Sequence, residues 1–129
     1  MRLPPTAELA AFLHDEINAR DFRHADHVRM AFEVLARHPF LEAAAAVSVA
    51  LKAMARRAGN AGAYHETITL AFLAVIAERR AAAKFEDYDA FAAANPDLLD
   101  KRVLARWYGP DKLRTEVARR MFVLPDPVL

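Results

Sequence analysis

The sequence predicts an all-α fold: an up-down bundle of four main helices followed by short C-terminal helices, all in one domain spanning residues 1–129. Three observations carry this reading. Alanine occupies 29 of 129 positions and glycine only 3, which favours helix and leaves few residues for tight hairpins. Every long apolar pattern repeats at about 3.6 residues and none at 2. The hydrophobic fraction is 55% with 27% charged residues, a globular composition at a length that supports one core.

The first helix is expected from an N-cap at Thr6 to about Arg20, with Leu9, Phe12, Leu13, Glu16 and Ile17 on one stripe. An acid therefore sits on an apolar face. The second follows a turn at Asp21 and ends near Arg37, before His38-Pro39. Its stripe, His24, His27, Val28, Ala31, Phe32 and Leu35, contains two histidines. Pro39 suits the first turn of a third helix, with Phe40, Ala44, Val47, Leu51 and Met54 inward until Gly59-Asn60. The fourth, from Tyr64 or His65 to about Ala83, carries no charge between Glu66 and Glu78, so it is expected at the centre. A shorter helix near Phe85 to Ala94, another from Asn95-Pro96 to Gly109-Pro110, and one or two turns after Asp111 complete the pattern, before an extended Phe122 to Leu129.

Several function classes fall away. With no cysteine, thiolate catalysis, zinc knuckles and iron–sulfur clusters are excluded. The N-terminal MRLPPTAEL has no apolar leader core, and the longest apolar run, Leu70 to Ala77, is too short to span a bilayer. A cytoplasmic protein without membrane partners is expected. The net charge is +1, and the pairs Arg56-Arg57, Arg79-Arg80 and Arg119-Arg120 fall near helix C-termini, where cations complement the dipole without implying nucleic-acid binding.

Short connections make consecutive helices antiparallel, so helices two and four should run parallel with their N-termini at one end. That topology would bring Glu16, His24, His27 and His65 into one layer. His24 and His27, three apart on one face, can aim at a single point. The expected site is a mononuclear centre for a divalent first-row metal (iron, zinc, copper or manganese) with His24, His27 and His65 as ligands. Glu16 is the expected fourth ligand or base, and His65 and Glu16 are the candidate catalytic residues. Its substrate would be a small organic molecule. A metal-free alternative uses the same imidazoles as acid–base groups, with Phe12, Phe22, Tyr64 and Phe72 as pocket walls. A third reading is a non-catalytic interaction module or homodimer, acting through Trp107, Tyr108, Met121 and Phe122. Tyr64-His65-Glu66-Thr67 begins like a zincin motif, but position 69 is Thr where a second His is needed. The paired Glu-x-x-His elements of di-iron bundles are also missing, with Asp21-x-x-His24 the nearest approach.

The segments Phe22-Arg23-His24-Ala25-Asp26-His27-Val28 and Tyr64-His65-Glu66-Thr67-Ile68-Thr69, with the ending Ala118-Arg119-Arg120-Met121-Phe122, resemble a family of small uncharacterised bacterial proteins. That resemblance spans most of the chain and implies no particular activity. A more distant likeness is to three-His metal-binding bundles of the DinB/YfiT type. Those carry two ligand histidines four apart on one helix, a spacing this chain lacks.

Overall fold

The computed structural model describes residues 6–127. The first five residues, where a leader would begin, and the last two of the extended C-terminus lie outside the described residues. The chain folds as an all-α bundle whose main helices are α1 (Ala7–Leu13), α2 (His24–Leu35), α3 (Phe40–Arg57) and α4 (Glu66–Ala82). Three short helices follow, α5 (Tyr88–Ala94), α6 (Pro110–Leu113) and α7 (Glu116–Arg120). No strand occurs among the described residues, and no helix among them is long and apolar enough to cross a membrane.

Helix α4 is central, packing against α2, α3 and α7, as its nearly uncharged sequence requires. Its buried residues include Ala71, Phe72, Leu73, Val75 and Ile76, and they meet Val28, Met30, Ala31 and Val34 of α2 and Ala43, Val47 and Met54 of α3 in one core. Helices α2 and α4 are parallel. The α4 residue Arg80 donates to the Leu35 carbonyl at the end of α2 and lies over the Phe32 ring. At the other end the His24 ring meets Phe72 edge-on at 4.9 Å.

Three expectations are corrected. Helix α1 stops at Leu13, not near Arg20, because Asp15 adopts a left-handed conformation (φ 57°). Glu16 N–H then bonds back to the Ala11 carbonyl at 2.8 Å, closing the helix as a left-handed C-terminal residue does. Arg57 of α3 holds the new direction by donating to Asp15 Oδ1, Asn18 Oδ1 and the Ile17 carbonyl. Residues Pro96 to Arg106 form two 3-10 stretches, Pro96–Leu99 and Lys101–Arg106, instead of one α-helix, with Asp100 between them accepting from Arg102 N–H. Phe40, expected inward, is 39% exposed, and the buried face of α3 runs through Ala43, Ala44, Val47, Ala50 and Met54.

The C-terminal segment is fastened to α4. Thr67 is fully buried, donating to the Met121 carbonyl at 2.8 Å and accepting from Val123 N–H at 3.1 Å. Tyr108 is buried and donates to the Val123 carbonyl. Trp107, Met121 and Phe122 keep part of their surface exposed.

Candidate functional site

A cavity of about 530 Å³ opens between α2, α3 and α4, within the size range of ordinary small-molecule sites. Its wall is mostly apolar: Val28 and Ala31 from α2, Val47, Leu51, Met54 and Ala55 from α3, and Ile68, Phe72, Leu73 and Ile76 from α4. Phe12 and Phe22 close one side as a stacked pair, 5.3 Å apart at 10°. The four aromatics expected as pocket walls, Phe12, Phe22, Tyr64 and Phe72, all line it. Small side chains make the space. Alanines 31, 55, 58 and 63 occupy positions where larger residues would reach into the void.

Three imidazoles line this cavity, yet they do not form one cluster. His65 is the N-cap of α4: its Nδ1 accepts from Ile68 N–H at 3.1 Å. Nδ1 therefore carries no proton, so Nε2 does and donates to the Leu113 carbonyl at 2.7 Å. Both ring nitrogens are committed. His24 donates from Nε2 to the Leu98 carbonyl at 3.0 Å, which leaves Nδ1 as an acceptor. The His27 ring makes no hydrogen bond among the described residues and rests against Phe22, with ring centroids 4.5 Å apart.

The expected single layer fails on a stagger. Because His24 packs on Phe72, the start of α2 lies seven residues along α4 from His65, an axial offset of about 10 Å at 1.5 Å per residue. Glu16 is exposed on the bend after α1 and is not part of the cavity wall; the early end of α1 removes it from the stripe it was expected to share with Leu9 and Phe12. Among the described residues, no group of three or more His, Asp or Glu side chains is placed to hold a metal ion. The donor chemistry agrees, because a first-row metal site takes three or four protein ligands. Here His65 has no lone pair to give, His24 and His27 have one each, and no carboxylate lines the cavity. These residues do not fit the iron, zinc, copper or manganese centre the sequence suggested.

Electrostatics single out His27. Desolvation by the surrounding protein, helped by nearby His24, lowers its imidazole from 6.5 to about 4, with Asp26 pulling weakly the other way. His27 is exposed and lines the cavity, and its ring is neutral at physiological pH. At the opposite end of the cavity the Tyr64 hydroxyl donates a hydrogen bond to Glu66, and Ser48 lies 2.9 Å from the same hydroxyl. Burial, and then the Glu66 carboxylate, push Tyr64 up to about 12. It stays protonated.

Two consequences are measurable. His65→Ala removes the α4 cap and the tie to Leu113, so it should lower unfolding free energy by about 1–2 kcal/mol, while His65→Asn retains most of it. The loss should be the same with and without a chelator; urea midpoints measured both ways check it, and a loss seen only without chelator would restore His65 as a ligand. The second concerns pH. Since the folded-state value of His27 lies below the unfolded one, the unfolded chain binds the proton more readily between pH 6.5 and 4. Stability is lost as pH falls through that window. His27→Gln should reduce the fall, as read from denaturation midpoints at pH 7.5 and pH 5; parallel falls would contradict the assignment.

Compared with known proteins, the chain matches no family model, no curated protein and no solved structure.

Proposed function

We propose that this protein binds a small, largely apolar organic molecule in the cavity between α2, α3 and α4, with His27 as the group that orients it and can exchange a proton with it. The observation that carries this reading is a neutral imidazole without a hydrogen-bond partner among the described residues, set in an otherwise apolar wall of Phe12, Phe22, Leu51, Met54 and Phe72. An exposed imidazole on the wall of an apolar cavity, its ring without a hydrogen-bond partner among the described residues, gains a hydrogen bond in a partly desolvated setting when a ligand meets it. The neutral ring offers one N–H donor and one acceptor nitrogen, so it serves a hydroxyl or carbonyl equally.

The acid–base capacity follows from the same environment. A ligand placing a negative charge or a strong acceptor against His27 offsets the desolvation that now favours the neutral form, and the ring then accepts a proton more readily. No step is routed through a metal, because the donor set does not fit one. Calorimetric titration of the full chain with decanol tests the reading. One saturable site per chain is expected, with His27→Phe weakening it about three- to tenfold through loss of one hydrogen bond. The absence of saturable binding, or an unchanged affinity in the variant, would overturn it.

A further inference from the structure

From the side chains that rim one end of the cavity, we infer that its ligand is an apolar carboxylic acid, with the chain or ring among the aromatic and aliphatic walls and the carboxylate between His27 and Lys101. This rests on the ligand-binding reading above and adds the chemical class of the ligand.

The charge inventory of the wall is one-sided. Among the described residues Lys101 is the only lining residue with a permanent charge, and the other ionisable groups there are three imidazoles and the Tyr64 phenol. No aspartate or glutamate among the described residues lines the cavity. Lys101 is exposed and makes no ion pair among the described residues. The acids close to it in sequence already have cations of their own. Asp100 is held by Arg102, at 2.9 Å from both its backbone N–H and its guanidinium, and Asp97 pairs with Arg79 and Arg106. On the facing helix Asp26 accepts from Arg23 N–H at 2.8 Å. At the far end Glu66 accepts a hydrogen bond from the Tyr64 hydroxyl. A carboxylate arriving from solution therefore meets a cation with no competing anion on the wall.

Lys101 and the two α2 histidines belong to the same rim. The hydrogen bond from His24 to the Leu98 carbonyl joins the start of α2 to the 3-10 stretch that leads into Lys101. His24 acts on Asp100, the residue before Lys101, and also on His27. The rim thus places an ammonium and an imidazole N–H on one side of an apolar void. An ammonium supplies the charge, the imidazole supplies a directed donor, and the void takes the hydrocarbon. A polyanionic headgroup finds too little here, since one permanent cation and one unengaged ring cannot satisfy the acceptors of a phosphate dianion.

The test is a set of calorimetric titrations of the full chain with decanoate, decanol and decylamine at neutral pH and low salt. All three share one hydrocarbon chain, so the headgroup alone differs. Because the pair with Lys101 is exposed and worth up to about 1 kcal/mol, decanoate should bind about fivefold more tightly than decanol, and decylamine most weakly. Raising the salt should erase that preference. Lys101→Glu should reverse the order, with decanoate weaker than decanol by about fivefold and decylamine strengthened, while decanol itself changes less than about twofold. If decanol binds but decanoate is no tighter, or if Lys101→Glu leaves decanoate unaffected, the carboxylate assignment is wrong and the cavity reading stands. If none of the three binds, the cavity reading fails and this inference fails with it.

Discussion

Replacing Ala55 with phenylalanine should abolish ligand binding, lowering affinity for decanol at least about thirtyfold, while leaving the protein folded. Ala55 of α3 lines the cavity together with Leu51, Met54 and Phe72. In a close-packed interior such an enlargement costs about 1–3 kcal/mol through forced rotamers. Here the ring enters space that side chains do not fill, so unfolding free energy should change by less than about 1 kcal/mol and can rise as apolar surface leaves water. Calorimetric titration of the variant, beside its urea midpoint, reads both effects. Unaltered decanol affinity in a variant of unaltered stability would place the ligand outside this cavity.

Phe91→Ala should have the largest effect on stability, about 3–5 kcal/mol, with ligand affinity nearly unchanged. Phe91 is completely buried under α5, its ring 4.8 Å from Phe32, 5.2 Å from Phe85 and 6.5 Å from Tyr88. Truncation removes transfer energy and opens a hole that three surrounding aromatics cannot collapse to fill. For a domain of ordinary stability, about 5–15 kcal/mol, about a fifth or more is lost. Phe72→Ala is the contrasting case. Its ring already faces the void, so less new cavity is created and the cost should be smaller, whereas decanol affinity should fall. Equal destabilisation by the two substitutions, with equal affinity, would show that the cavity wall is packed as tightly as the rest of the core.

The helices were legible in the sequence because amphipathic periodicity is local. The run without charge from Thr67 to Ala77 identifies the central helix, and the aromatics Phe12, Phe22, Tyr64 and Phe72 identify the pocket walls. What escaped the sequence was set by contacts between distant segments. The end of α1 depends on Arg57, 42 residues beyond Asp15, reaching back to it. The stagger of α2 against α4 depends on where the His24 ring seats on Phe72, and helix order along the chain carries no information about axial register. That stagger separates His65 from His24 and changes its role from ligand to cap. A capping role does have a local signal, since His65 stands immediately before Glu66 at the start of an apolar helix. Lys101 had none, because it enters the rim from a 3-10 stretch the sequence presents as ordinary helix surface.

The most direct test of the central claim is an isotope-filtered nuclear Overhauser experiment on the labelled protein with unlabelled decanol bound. Ligand protons should show cross-peaks to the rings of His27, Phe22 and Phe72 and to the methyls of Leu51 and Met54, which converge only inside the cavity. Cross-peaks confined to exposed apolar residues such as Leu41, Val49 or Leu124 would contradict it.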